Sequence, residues 1–167
     1  VQRVITDFQI TGTGTQYYWN TYGLNSSLSF TYTFNHLVKV IGIPKLKIKL
    51  GANEKQINYH TGTNTNKITF LYTIIENDYT NSGVEIPANP FVIDTTNQNI
   101  VSPVDNRDAT LNPRIAVSSN SEFKIDAVQR VITDFQITGT GTPYQNTYGL
   151  NSSLSFTYTF NYLVKVI

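Results

Sequence analysis

Residues 26–34 read SSLSFTYTF, and this run decides the fold. Leu28, Phe30, Tyr32 and Phe34 fall on one face, and Ser27, Ser29, Thr31 and Thr33 on the other. A period of two is the pleat of a half-buried β-strand. The alternation returns in KLKIKL, where Leu46, Ile48 and Leu50 oppose Lys45, Lys47 and Lys49. Lysine on the outward side of a strand also discourages edge-to-edge pairing. Residues 67–75, KITFLYTII, bring Ile68, Phe70, Tyr72 and Ile74 to one face. Weaker strand candidates lie at 3–10, 37–41, 55–60, 83–86, 90–93, 98–102, 113–117 and 122–126. Turn signals separate them: GTGT, TGTNTN, NDYTNSG, ANP and DNRD. No stretch carries a helical period. The pattern predicts an all-β chain of short antiparallel strands packed as a two-sheet sandwich.

The deciding run occurs twice. VQRVITDFQITGTGT at 1–15 recurs at 128–142, NTYGLNSSLSFTYTFN at 20–35 recurs at 146–161, and LVKVI at 37–41 recurs at 163–167. The period, 127 residues from Val1 to Val128, is too long for a solenoid repeat and suits a whole domain. The identity extends through outward Ser and Thr as well as apolar positions. Residues 1–127 therefore read as one complete unit, and 128–167 as the opening part of the next. The join near Asp126 and Ala127 is expected to be short and fairly stiff. With no initiator Met and a last residue inside an apolar run, the chain is expected to be a window of a longer polypeptide. The second unit holds only the first strands of a sandwich, so Leu154, Phe156, Tyr158 and Phe160 are expected to expose an apolar face.

Composition narrows the function classes. Cysteine is absent, which removes disulfide and thiolate chemistry. The net charge is +1 and no basic stripe is present, which argues against a nucleic-acid partner. No apolar run approaches the roughly 18 residues that span a bilayer as a helix. Thr and Asn together make roughly a quarter of the chain, and Tyr is abundant. Such a composition suits an extracellular all-β protein.

The segments NSSLSFTYTFNHLVKVIGIPKLKIKLG and INYHTGTNTNKITFLYTIIENDYTNSGVEIPAN together resemble the tandem Ig-like β-sandwich repeats of large bacterial surface adhesins. Those repeats carry a "G-D-x-L-x-F-x-V-x-F" strand, matched by Leu28, Phe30 and Phe34. A "V-x-G-x-P-x-L-x-L" strand follows, matched by Gly42, Pro44, Leu46 and Ile48. The third, "Y-x-S-G-S-G-T-x-x-L-x-F-x-Y-x-V", is matched by Tyr59, Gly62, Thr63, Ile68, Phe70 and Tyr72. KIDAVQRVITDF resembles the family's junction between repeats, without its proline. The resemblance implies an Ig-like fold, a cell-surface location and neighbouring repeats as partners, in an array that extends a binding tip.

Two kinds of residue could carry chemistry. Calcium needs six to eight oxygen ligands. Glu76, Asp78 and Asn81 form one candidate cluster, Asp105, Asn106 and Asp108 another, and Asp126 and Asp134 flank the junction. Asp and Asn are also ordinary turn formers. The segment Gln16-Tyr17-Tyr18-Trp19 becomes the shorter Pro143-Tyr144-Gln145 in the second copy. Read as a loop, its Tyr17, Tyr18 and Trp19 could bind a cell-surface glycan or protein receptor, or pack against a preceding unit. The TxT spacings also suit a flat hydroxyl array of the ice-binding kind, and a Lys–Asn cross-link would need a buried Lys, which the outward Lys45, Lys47 and Lys49 do not offer.

Catalysis finds no support. His36 and His60 are the only histidines, and His36 is Tyr162 in the second copy. No nucleophile, base and orienting group can be proposed together. The chain is therefore expected to be non-enzymatic: a structural repeat of an extracellular bacterial adhesin or surface fibre, a spacer or an assembly unit. Two alternatives remain. One is a self-assembling filament subunit completed by strands of a neighbouring molecule, and the other a carbohydrate-binding accessory module of a secreted protein.

Overall fold

The computed structural model describes residues 1–14, 16–111, 117–141, 147–164 and 166, and not the side chains of Tyr17, Tyr18 and residues 117–119. The chain divides into two compact units, Val1–Val128 and Gln129–Ile167. Both are built of strands, and the described residues include no helix.

In the first unit the strands run β1 (Ile5–Thr13), β2 (Gln16–Tyr18), β3 (Thr21–Tyr22), β4 (Ser27–Ile41), β5 (Lys45–Leu50) and β6 (Asn53–Thr61). They continue as β7 (Thr65–Thr73), β8 (Tyr79–Thr80), β9 (Val84–Ile86), β10 (Phe91–Val92), β11 (Asn99–Val101), β12 (Val117–Asn120) and β13 (Lys124–Asp126). The main ladder follows the order β1-β4-β7-β6-β5-β9-β12, with β10 on β5 and β11 on β4.

Strand β6 turns the corner of this ladder. Asn53–Asn58 pair with β5, whereas Tyr59 and Thr61 pair with β7 across a register shift. One continuous sheet is thereby folded into two facing layers, and aromatic side chains meet between them. Phe91 of β10 lies 4.9 Å from the Tyr32 ring of β4 and 6.0 Å from the Phe70 ring of β7, measured between centroids. The result is a sandwich-like all-β core of packed antiparallel sheets, as the period of two predicts.

The core is the apolar set of that period. Leu28, Phe30, Tyr32 and Phe34 are buried, as are Leu46, Ile48 and Leu50 from β5 and Ile68, Phe70, Tyr72 and Ile74 from β7 and its end. Burying each such side chain stabilises the fold by roughly 1.5–3 kcal/mol before entropy is counted. The outward lysines pair with carboxylates, Lys47 with Glu54 and Lys49 with Glu85, each at 3.8 Å. Exposed pairs of this kind add little stability.

The strand candidates mostly coincide with strands, and the differences have identifiable causes. Residues 27–34 and 37–41 form one strand, β4, interrupted by an irregularity. Its register with β7 passes from Thr33↔Lys67 to Val38↔Thr65. Within that break Asn35 works as a clamp: its Oδ1 accepts the Val4 N–H at 2.9 Å, and its amide donates to the Gln2 carbonyl at 3.1 Å. The supposed loop at Gln16–Tyr18 is the short strand β2, and the turn-rich NDYTNSG contains β8. Both belong to a second sheet, β2-β3-β13-β8. There β13 runs parallel to β3, an exception to the antiparallel expectation. Of the candidate at 113–117, only Val117 lies within the described residues.

The described residues of the second unit form two strands, β14 (Ile132–Thr140) and β15 (Ser153–Phe160). Their register copies that of β1 and β4. Ile10↔Phe30 becomes Ile137↔Phe156, and Gly12↔Leu28 becomes Gly139↔Leu154. The irregularity between Ile5 and Asp7 returns between Ile132 and Asp134. The clamp returns too: Asn161 accepts the Val131 N–H at 2.9 Å and donates to the Gln129 carbonyl at 3.1 Å.

Candidate functional site

Asp78 is a buried polar residue of the first unit with several partners. It follows Asn77, whose φ of 68° is a left-handed turn that Asn tolerates. The turn carries the Asp78 carboxylate inward until the residue is only 4% exposed. There Oδ1 meets the Lys55 Nζ of β6 at 2.8 Å. Oδ2 accepts the Tyr72 hydroxyl in a short hydrogen bond and the Ile75 N–H at 3.0 Å. The Asp78 backbone carbonyl accepts the Ala127 N–H at 2.9 Å, and the Ala127 carbonyl accepts the Asn77 N–H at 3.0 Å. One turn thus ties β6, β7 and the end of β13 together. Burial above all, then the hydrogen bond and the charge of Asp78, push the Tyr72 phenol well above its ordinary pKa.

The other candidate calcium ligands are occupied separately. Asp105 lies 3.4 Å from the Arg107 guanidinium and 3.9 Å from that of Arg3. The Ser102 hydroxyl foremost, with Arg107 and Arg3, holds its carboxyl below the usual range. Asp108 accepts the Asn99 side-chain amide at 2.7 Å. Asp126 accepts the Val128 N–H at 3.4 Å, and in the second unit Asp134 accepts the Gln136 amide at 3.0 Å. Glu76 and Asn81 are exposed at the surface. Among the described residues no three His, Cys, Asp or Glu side chains gather into a metal-binding group. Within the Glu76 cluster, Asp78 is turned inward onto the Lys55 cation while Glu76 and Asn81 stay at the surface.

Trp19 stands at the turn between β2 and β3, 94% exposed, beside Asn20 with a φ of 61°. The side chains of Tyr17 and Tyr18, and the counterpart segment Pro143-Tyr144-Gln145, lie outside the described residues. His36 and His60 are both exposed. Thr and Ser form an outward face on β4 and its neighbours, where the Thr31 and Thr69 hydroxyls meet at 2.9 Å.

The second unit presents the strongest contrast with the first. Leu28 and Phe30 are fully buried, yet their counterparts Leu154 and Phe156 are 50% and 59% exposed. Ile137, Phe135 and Tyr158 are exposed on the same pair of strands. An open groove of about 480 Å³ runs along Tyr158–Val164. The described residues include no helix long and apolar enough to cross a membrane. No family model, curated protein or solved structure matches the chain.

The buried role of Asp78 was not visible in the sequence, where it reads as one more turn acid. The one available signal is Tyr72, a hydroxyl placed on the apolar face of an alternating strand, which needs a buried acceptor.

Proposed function

We propose that this chain is a non-enzymatic structural repeat of an extracellular bacterial adhesin or surface fibre, Ig-like in fold, acting as a spacer or assembly unit. The observation that carries this reading is the recurrence of one strand pair, with the same register, irregularity and Asn clamp, 126 to 127 residues along the chain. A unit that repeats whole is the way a polypeptide builds length from folded beads. Load-bearing also finds support within the first unit. Strand β13, next to its end, runs parallel to β3, and Val4 near its start bridges Thr110 in parallel. Both ends of the unit are thus hydrogen-bonded to other strands, so tension on them loads those bonds.

Force spectroscopy on the full chain, held at its two ends, tests the reading. The first unit is expected to yield in one abrupt step that releases on the order of 400 Å of chain. Gradual lengthening without a step would remove the mechanical role.

One observation favours a second reading, recognition of a glycan or protein receptor: the wholly exposed indole of Trp19. Aromatic faces of this kind stack on sugar rings or anchor protein contacts. Glycan-array binding that disappears on Trp19→Ala would favour this reading over the spacer.

A further inference from the structure

The turn between β3 and β4 carries a motif that packing does not account for. Asn25, Ser26 and Ser27 read N-x-S, and Asn151, Ser152 and Ser153 repeat it. No other Asn of the chain has Ser or Thr two residues on. The pattern N-x-[ST], with x other than Pro, is the acceptor for N-linked sugars, and it calls for a surface turn. Both copies meet that demand. The Ser26 N–H donates to the Gly23 carbonyl at 3.2 Å, and the Ser152 N–H to the Gly149 carbonyl at 3.2 Å. Asn25 and Asn151 stand at φ 64° and 67°, and both are exposed.

Turn geometry explains the asparagine but not the hydroxyl that follows it. Asn64, Asn77 and Asn106 hold the same left-handed backbone, at φ 60°, 68° and 53°, with no Ser or Thr two residues on. Structural duty does not explain the amide either. Asn35 clamps Val4 and Gln2, and Asn99 donates to Asp108. Among the described residues no side-chain hydrogen bond holds Asn25 or Asn151. Ser27 points outward from β4, and its hydroxyl lies 3.5 Å from that of Thr73. A contact of that length is weak and leaves the hydroxyl able to take another partner. Ser153 is exposed.

We propose that Asn25 and Asn151 are acceptor sites for N-linked sugar. In the transfer, the side-chain amide nitrogen bonds to the anomeric carbon of a glycosyl diphosphate. The bond from that carbon to the diphosphate oxygen breaks. The diphosphate leaves with the electron pair, and one amide proton passes to a base of the transferase. The donor is a sugar diphosphate carried on a nucleotide or on a lipid, and the chemistry at the asparagine is the same for both. The proposal goes beyond the spacer reading and does not need it, because the acceptor is a local turn.

The test is the mass of the full chain purified from its source organism, against the same chain made in a host without N-glycosylation. Tryptic peptides 4–39 and 131–165 differ in sequence, so fragmentation assigns each adduct to its own site. A sugar is expected on both asparagines. A single hexose identifies a nucleotide-linked donor, and a preassembled oligosaccharide a lipid-linked one. Ser27→Ala keeps Asn25 in place and should lower occupancy there at least tenfold, with Asn151 as the unchanged internal control. Ser27→Thr should keep the occupancy of the parent. Amide protection at Leu28–Phe34 checks that the first unit is folded in both variants. Both peptides at their unmodified mass overturn the proposal. So does an adduct on Asn25 that survives Ser27→Ala. The force step of the first unit does not depend on the sugar, so the two readings can fail separately.

Discussion

The Lys55 ammonium stands 2.8 Å from a carboxylate of Asp78 that is almost wholly out of water. The pair joins the middle of β6 to the turn after β7, and Asp78 passes the connection on to Ala127 at the end of the first unit. Asp78→Ala would leave the Tyr72 hydroxyl, the Ile75 N–H and Lys55 without their acceptor. It is expected to cost about 2–4 kcal/mol by denaturant unfolding. Lys55→Met should cost about 1–3 kcal/mol, less than a fully buried pair, because the lysine is partly open to water. Losses under about 0.5 kcal/mol for both would show that the turn does not depend on this pair.

Identical residues in the two units should respond differently to the same change. Phe30→Ala removes a ring from a closed core and is expected to cost about 3–5 kcal/mol. Phe156→Ala changes an exposed ring and is expected to stay within about 0.5 kcal/mol. Equal losses in the two variants would mean that both faces are covered in solution.

Gly12 and Gly139 make a second matched pair. In each unit a Cβ added at the glycine would run into a tyrosine ring, Tyr22 in the first and Tyr148 in the second. Tyr22 is buried, sits in the core and stacks on Phe123 at 6.0 Å, so it has no room to withdraw. Tyr148 is exposed and can swing away. Gly12→Ala is therefore expected to cost roughly 1–3 kcal/mol, the usual range for overpacking. Gly139→Ala should leave the melting temperature unchanged. A Gly12→Ala protein as stable as the parent would contradict the close approach of Tyr22.

Alkaline pH should weaken the first unit. Burial raises the phenol pKa of Tyr32, and burial with the Asp78 contact raises that of Tyr72. Folding therefore holds both protons more tightly than the unfolded chain does. The stability this represents is complete below the unfolded value of about 10 and is lost as the pH climbs toward the folded values. Each tyrosine should steepen the fall by up to about 1.4 kcal/mol per pH unit. Asp105 has the opposite sign: its lowered pKa gives a small stability present above the unfolded carboxylate value, lost in acid. Denaturant midpoints between pH 8 and 12 check the tyrosines; Tyr72→Phe should flatten the slope, and an unchanged slope would contradict the assignment.

The layers and core of this fold were legible because they follow from a period of two. Leu28 to Phe34 and Leu46 to Leu50 bury the side chains that the alternation selects. What was hidden depends on contacts distant in sequence. Tyr79–Thr80 looks like turn sequence and becomes a strand only because Ile125, 45 residues later, supplies its partner. Asp78 looks like a surface acid until the fold brings Lys55 and Tyr72 to it. Gln16–Tyr18 looked like a variable loop, and its pairing with Thr21–Tyr22 is too short to leave an alternation. The repeat itself was fully visible, because it is written in letters rather than in contacts.

Residue-resolved amide exchange by NMR on the full chain tests most directly whether one strand pair exists in two states of cover. Ile5–Thr13 and Ile132–Thr140 have the same sequence, as do Leu28–Phe34 and Leu154–Phe160, so their intrinsic exchange rates are the same and only protection differs. Identical peptides cannot be told apart by mass, which is why NMR is needed. Amides at Leu28–Phe34 should exchange only through global unfolding, slowed by a factor of at least about 1,000. Those at Leu154–Phe160 should be slowed by less than about tenfold, as befits a two-stranded sheet that is marginal in water. Equal protection in the two copies would contradict it.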